Sequence, residues 1–240
     1  MSTMDYEIAA TADFRAGITA EHAGAHHPHE LEGARRFLNV AVASLGLIIT
    51  APLMALIALA VKLTSPGPVF YRQTRVGLCH PSASGNNGRR CAESGGQLFT
   101  IYKFRTMRTV APSEESQVWC GAHDPRITTV GHFLRRSRLD ELPQLLNVLM
   151  GDMNVVGPRP EQPTIFASLR EEVPGYALRQ RVRPGITGLA QITLAYDTCL
   201  DDVRKKVSAD LRYIANQSFL TDLGIMLRTI PVMLLRIGSR

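Results

Sequence analysis

The sequence predicts an α+β protein that is mostly helical, contains a small β element and is associated with a membrane. Phe37–Val61 is an apolar run of 25 residues without a charge, which is long enough for a membrane helix. Residues 98–107 alternate in polarity as a half-buried strand does. A third signal is a set of leucines at helical spacing, Leu142, Leu145, Leu146 and Leu149.

The composition excludes a disordered chain and favours an anionic partner. Of the 240 residues, 45% are hydrophobic and 20% are charged, which is typical of a folded domain. Lys and Arg number 27 against 21 Asp and Glu, giving a formal net charge of +6. Such a balance suits nucleic acid, an acidic lipid or a phosphorylated substrate, and charge alone does not choose among them.

The four cysteines show no zinc-binding spacing. We expect ordinary reduced thiols, as in a cytosolic domain. A bridge between Cys79 and Cys91, or a bound metal, is the alternative.

The N-terminal part predicts a flexible tail over residues 1–33 and a membrane helix over residues 34–63. A helix of 25 residues is about 37 Å long, whereas the bilayer core is about 30 Å thick. Pro52 removes a helical hydrogen bond near the middle, and Arg35 and Lys62 place positive charge at both ends. Three arrangements therefore stay open: a re-entrant helix that breaks near Pro52, a spanning helix, and a buried helix of a soluble domain.

We expect residues 64–240 to form one cytosolic domain. Its segment 79–97 is rich in Gly, Ser and Asn and predicts a flexible surface loop. Residues 219–237 are apolar with a break at Pro231, and they suit either a membrane interface or a core. An amphipathic helix before them is indicated by one stripe, Val203, Val207, Leu211 and Ile214.

The strongest chemical signal is Asp140 followed by Glu141. Pro143 is tolerated only in the first turn of a helix, so the leucine-rich helix begins near Asp140 and stops at Gly151. Both carboxylates then lie at a helix N-terminus, amid several arginines including Arg135. Ionised carboxylates there can act in phosphoryl chemistry if cations and a divalent metal screen the charge. The simpler interpretation is an ordinary acidic first turn.

A second signal is Arg159, which lies between Pro158 and Pro160. Two prolines fix the backbone on either side, and a guanidinium presented in this way suits bidentate contact with phosphate. Lys103 on the predicted strand could add a phosphate contact, although alternation on an edge strand explains it equally well. An exposed arginine in a proline-rich turn is the plain alternative for Arg159.

The segment 176–183, with Tyr176 and Arg179, superficially resembles a basic and aromatic nucleic-acid patch. We find no RNP-like, helix-turn-helix or zinc-finger pattern, so we expect no nucleic-acid partner.

Four stretches together resemble the bacterial sugar transferase family, the monotopic polyprenyl-phosphate phosphoglycosyl transferases. They are SPGPVFYRQTRVG, FTIYKFRTM, DPRITTVGHFLRRSRLDELPQLLNVLMGDMNVVGPRP and RPGITGLAQI. The resemblance runs in order over residues 35–230, and the chain is similar to the family's small, catalytic-core form.

The resemblance implies transfer of a sugar 1-phosphate from a UDP-sugar to a polyprenyl phosphate such as undecaprenyl phosphate. UMP is released and Mg²⁺ is required. Asp140 would be the nucleophile, and Glu141 would orient the metal or the nucleophile. The residues expected to bind substrate phosphates are Lys103, Arg135 and Arg159.

The resemblance also implies a location. The family has a re-entrant anchor, here broken at Pro52, where Ala51 replaces the serine usual before the proline. We expect the bacterial inner membrane, with the catalytic domain on its cytoplasmic face, and an oligomer stays open. An alternative function is a catalytically inactive, membrane-anchored assembly protein of a polysaccharide pathway.

Overall fold

The computed structural model describes residues 29–79, 95–108, 124–194 and 199–234. Their helices are α1 His29–Thr64, α2 Thr129–Ser137, α3 Gln144–Met150, α4 Pro163–Glu172, α5 Leu189–Thr193, α6 Leu200–Ala215 and α7 Phe219–Leu234. Short 3₁₀ helices are Leu139–Glu141 and Tyr176–Arg181. The strands are β1 Phe70–Val76, β2 Leu98–Phe104, β3 Asn154–Val156 and β4 Gly185–Thr187. The predicted class, α+β and mostly helical, is confirmed.

The strands form two small sheets. β1 and β2 pair antiparallel, with Phe70 opposite Phe104 and Val76 opposite Leu98. β3 and β4 pair in parallel. The strand predicted within residues 98–107 is therefore confirmed as β2. Most of the predicted 79–97 loop, residues 80–94, lies outside the described residues.

Two apolar cores hold the elements together. The larger core joins α1, β1, β2, α3, β3, α4, α6 and α7. The smaller core packs Ile57 and Val61 of α1 against Phe104 of β2 and Leu134 of α2. All four residues of the predicted stripe on α6 are buried, which confirms the amphipathic helix: Val203, Val207, Leu211 and Ile214.

The first helix is longer than predicted. α1 begins at His29, so the predicted tail is wrong for residues 29–33, and residues 1–28 lie outside the described part. α1 passes through Pro52 without interruption, so the predicted break is not a gap in the helix. The Thr50 hydroxyl donates to the Gly46 carbonyl, 2.7 Å away. α7 likewise continues past Pro231.

Both arms of α1, before and after Pro52, contact the rest of the protein. In the first arm, Arg36 donates to the Val148 and Leu149 carbonyls at the end of α3, at 2.6 and 2.9 Å. The second arm contributes to the smaller core. Ala43 of the first arm is buried in the larger core, whereas around Pro52 the helix is largely exposed, with Ile48 72% exposed. Within Gly33–Thr64, α1 is long and apolar enough to cross a membrane, yet only 11% of its most apolar stretch is buried.

The end of α1 is held by a buried arginine. Arg105, directly after β2, donates to the carbonyls of Val61, Ser65 and Pro66 at 3.3, 2.6 and 3.0 Å. A cation that satisfies free carbonyls at a helix C-terminus stabilises that end.

The expectation of reduced thiols is wrong at one position. Cys79 is disulfide-bonded, and its partner lies outside the described residues. Cys199 is free and exposed.

Candidate active site

The turn that carries the acidic pair is built from three helical pieces. α2 ends at Ser137, and the next residue, Arg138, adopts a left-handed conformation with φ of 55° and redirects the chain. The 3₁₀ helix Leu139–Glu141 follows, and α3 begins only at Gln144. The predicted helix start near Asp140 is therefore four residues early. Gly151, with φ of 91°, ends α3 as predicted.

Glu141 is held between two cations. Its Oε1 accepts from Lys103 Nζ and from Arg159 Nη2, both at 2.7 Å. The residue is 9% exposed. Burial raises the pKa of Glu141, but Arg159 and Lys103 outweigh it and hold that pKa well below its usual range. Glu141 is therefore ionised.

Asp140 has the opposite environment. It is 8% exposed, and its carboxylate accepts no hydrogen bond from the described residues. Burial raises the pKa of Asp140 to about 6; Lys103 opposes this shift, and the charge of Glu141 adds to it. An ionised Asp140 therefore carries a desolvated charge without a hydrogen-bonding partner, which is typical of a nucleophile.

Lys103 is positioned by its own strand, β2, and by α3, the helix that follows the acidic turn. It lies on β2 opposite Tyr71 of β1. Asn147 of α3, fully buried, donates to the Thr100 carbonyl and accepts from the Tyr102 amide, at 2.7 and 3.1 Å. These two bonds fix α3 to the strand, and so fix the lysine relative to the acidic turn.

Arg159 extends from the loop Gly157–Glu161 that follows β3. The structure thus brings four of the five sequence-predicted residues together: Lys103, Asp140, Glu141 and Arg159. Arg135 lies beside them, and its charge slightly lowers the pKa of Asp140. Its guanidinium, however, donates to the Thr106 hydroxyl at 3.0 Å and contacts the Met107 sulfur.

The pair has the oxygens that a magnesium ion needs. No cluster of three or more His, Cys, Asp or Glu occurs in the part of the chain that the structure describes. Both Asp140 oxygens and Glu141 Oε2 accept no hydrogen bond from described residues. Mg²⁺ is usually held by one or two carboxylates together with substrate phosphates. The donor set fits this mode, with Asp140 and Glu141 as the protein ligands.

Sequence reasoning missed the buried residues that hold the Gly157–Glu161 loop. Tyr176 and Arg179, which in the sequence resembled a nucleic-acid patch only superficially, are 2% and 1% exposed. Arg179 pairs instead with Asp210, 31 positions along the chain. No local pattern predicts this pairing. The one available signal is that Asp210 lies on the buried side of an amphipathic helix, where a charged residue needs a partner of opposite charge.

This geometry can now be set beside known proteins. The model of a family described as "Bacterial sugar transferase" matches residues 31–236. The chain belongs to the bacterial sugar transferase family. The resemblance inferred from the four sequence stretches is thereby confirmed.

Three relatives in this family illustrate the similarity. A UDP-glucose:undecaprenyl-phosphate glucose-1-phosphate transferase of Escherichia coli is 40% identical over 206 residues, 83% of this chain and 41% of the relative. An enzyme of the same name from Caulobacter vibrioides is 43% identical over 203 residues, 83% of this chain and 69% of the relative. A UDP-N-acetylgalactosamine-undecaprenyl-phosphate N-acetylgalactosaminephosphotransferase of Aeromonas hydrophila is 39% identical over 206 residues, which are 86% of this chain and 45% of the relative.

The family relatives differ in extent and in sugar. The chain spans less than half the length of the Escherichia coli and Aeromonas relatives. The names of these relatives give glucose in one case and N-acetylgalactosamine in the other.

Proposed function

We propose that the protein transfers a sugar 1-phosphate from a UDP-sugar to undecaprenyl phosphate, or a related polyprenyl phosphate. This would be an early membrane step in the synthesis of an exopolysaccharide or another glycan. Family membership and the names of the relatives support the reaction class. The sugar stays open because those names differ.

The unequal environments of the two adjacent carboxylates carry the proposal. Glu141 is fixed by Lys103 and Arg159 and is a poor nucleophile, since two cations already bind one of its oxygens. Asp140 lacks such bonds and has a pKa raised to about 6, so it is ionised and reactive at neutral pH. We therefore assign Asp140 as the nucleophile and Glu141 as the residue that fixes the cations.

The reaction then proceeds in two displacements. An Asp140 oxygen attacks the β-phosphorus of the UDP-sugar, and the bond from that phosphorus to the bridging oxygen breaks, so that UMP leaves. The phosphosugar stays on Asp140 as an acyl phosphate. An oxygen of the polyprenyl phosphate then attacks the same phosphorus, and the Asp140 carboxylate is released. Lys103 and Arg159 stabilise the negative charge on the transferred group.

Mg²⁺ is the cofactor we propose, held by Asp140 and Glu141 together with the donor phosphates. When bound, it would neutralise diphosphate charge and stabilise the leaving UMP.

We further propose that α1, bent at Pro52 although not interrupted there, enters the membrane and returns to the same face. The contacts of both arms of α1 with one domain support this, because a helix that spans the bilayer carries its far end away from that domain. The exposed stretch around Pro52 would then be the membrane-embedded part. Leu220, Leu227 and Ile230 of α7 are also exposed and suit the membrane interface. The cytoplasmic face of the inner membrane is the location we propose, because UDP-sugars are cytoplasmic.

A UMP-release assay tests the activity. Purified protein is mixed with a panel of UDP-sugars, undecaprenyl phosphate and Mg²⁺. We expect UMP with at least one donor, dependent on the acceptor for multiple turnovers. Failure with every donor would favour the catalytically inactive assembly protein.

Cysteine labelling tests the topology. Gly33→Cys and Thr64→Cys lie at the two ends of the membrane segment, and Gly33 has open space where a side chain would begin. We expect both to react with an impermeant thiol reagent only from the cytoplasmic side, with labels assigned by peptide mass. Reaction of residue 33 from the opposite side would contradict re-entry.

A further inference from the structure

The loop Gly157–Glu161 presents Arg159 to Glu141, and four consecutive carbonyls of this loop are hydrogen-bonded. The Pro158 carbonyl accepts from the Gly185 amide at 2.9 Å, and the Glu161 carbonyl accepts from the Val76 amide at 2.9 Å. The two carbonyls between them accept from side chains rather than from backbone. The loop is therefore fixed along its length, and its middle depends on those side chains.

The two side chains are buried or half-buried arginines. Arg179 Nη2 donates to the Arg159 carbonyl, and Arg75 Nη1 donates to the Pro160 carbonyl, both at 3.1 Å. Arg75 comes from β1, and Arg179 from the 3₁₀ helix Tyr176–Arg181. Two distant segments thus hold the backbone on which the Arg159 side chain is mounted.

Arg179 is itself held rigidly. Its Nε donates to Asp210 Oδ2 at 2.8 Å, and both side chains are 1% exposed. Its guanidinium also lies over the Tyr176 ring, 4.8 Å from the ring centre. A charge-assisted bond between fully buried partners fixes orientation more firmly than a surface pair does.

We infer that Arg179, held by Asp210, is a positioning residue for catalysis, because it fixes the backbone from which Arg159 reaches Glu141. Arg179 is too deeply buried to touch substrate. It acts through Arg159, and a shift of about 1 Å at a catalytic group can lower the rate about a hundredfold. The inference rests on the proposed function in so far as it concerns rate.

The first test is a double-mutant cycle on turnover. Arg179→Lys keeps the charge but loses the planar fork that bonds both Asp210 and the Arg159 carbonyl. We expect kcat to fall about ten- to hundredfold with little change in the KM for donor. In an Arg159→Lys background the same change should lower kcat by at most about twofold. Equal losses in both backgrounds would overturn the inference.

A matched control separates positioning from general destabilisation. Arg105→Lys also removes a buried fork from backbone carbonyls, but these belong to the segment Val61–Pro66 and not to the Gly157–Glu161 loop. We expect it to lower the melting temperature with little change in kcat.

If Arg179→Lys does not fold, Asp210→Asn replaces it, since this variant leaves the arginine present and removes its charged partner. A loss of kcat for Arg105→Lys equal to that of the Arg179 or Asp210 variant would contradict the inference.

Hydrogen exchange provides a readout that does not need activity. We expect the amides that bond this loop, those of Gly157, Gly185 and Val76, to exchange about tenfold faster in Arg179→Lys and at an unchanged rate in Arg105→Lys. Unchanged exchange in Arg179→Lys would contradict positioning. If the wild type releases no UMP from any donor, the proposed function fails, and the exchange comparison alone then decides whether Arg179 positions the loop.

Discussion

The acidic turn Leu139–Glu141 and the long helix α1 differ in what they bury: the turn buries charge, and the middle of α1 exposes apolar surface. The turn buries two carboxylates. One of them, Glu141, pairs with Lys103 of β2 and with Arg159 of the Gly157–Glu161 loop. The middle of α1 leaves large apolar side chains exposed, with Ile49 at 67% and Leu56 at 65%. A water-soluble domain ordinarily exposes its carboxylates and buries its large apolar side chains.

The difference supports the proposed location of the site at the boundary between membrane and water. Buried charge is tolerated where it performs chemistry, and exposed apolar surface is tolerated where a lipid phase covers it. The two regions are joined by α3. Arg36 of α1 donates to a carbonyl near the end of α3, and the acidic turn lies just before the start of α3. In the proposed membrane arrangement, α1 would hold the acidic turn at a fixed depth relative to a polyprenyl phosphate.

The largest expected effect is on the acidic turn. Asp140→Asn should lower turnover by about a thousandfold or more, since the amide cannot form the acyl phosphate. The variant should stay in the membrane fraction, because α1 is untouched. Turnover is measured by UMP release. Near wild-type turnover would remove Asp140 from the mechanism.

The next effect concerns the anchor. Ile48→Lys should reduce membrane partitioning by about a hundredfold, because a charge in the bilayer core costs about 3 kcal/mol. Thr64→Lys is the control, since a lysine at the helix end can reach water. The measurement is the fraction kept in the membrane pellet after an alkaline wash. Equal retention of the two variants would contradict an embedded α1.

A smaller effect distinguishes the two carboxylates. Glu141→Gln should destabilise the metal-free protein by about 2 kcal/mol, because Lys103 and Arg159 lose their shared anion. Asp140→Asn should not destabilise it, since Asp140 has no hydrogen-bonding partner to lose. Thermal unfolding in detergent with a chelator measures both. Similar destabilisation by the two variants would refute the unequal roles.

The smallest effect is a pH dependence of the metal-free protein. The pKa of Asp140 is raised to about 6, so ionised Asp140 destabilises the folded state. Asp140→Asn should be more stable than the wild type by about 1 to 2 kcal/mol above pH 6. The advantage should shrink as pH falls below about 6 and vanish near about pH 3, where aspartate is protonated in both the folded and the unfolded state. A difference that does not vary with pH would contradict the raised pKa.

Local patterns predicted the elements well, and long-range contacts explain what they missed. The stop at Gly151 and the stripe on α6 are set by neighbours three or four residues away, so the sequence displays them directly. The leucine repeat indicated a helix correctly but not its buried face, because α3 buries Gln144, Asn147 and Val148 while Leu146 is 40% exposed. The acidic pair was expected at the start of an α-helix, but the left-handed Arg138 inserts a 3₁₀ turn that no local pattern indicates.

The supporting contacts were beyond local reasoning. Lys103 meets Glu141 across 38 positions, and Arg179 meets Asp210 across 31. Arg35, taken only as a charge flanking the membrane run, donates to Asp222 at 2.9 Å, 187 positions away. An arginine looks the same in a sequence whether it faces solvent or a buried carboxylate, so only the fold reveals its partner.

The most direct test of the central claim is the mass of the peptide containing Asp140 after reaction with donor alone. Protein is incubated with UDP-sugar and Mg²⁺ without acceptor, quenched in acid and digested. The account predicts the mass of one phosphosugar added to Asp140, lost when polyprenyl phosphate is added before quenching and absent from Asp140→Asn. Release of UMP with that peptide unmodified, or the same added mass in Asp140→Asn, would contradict it.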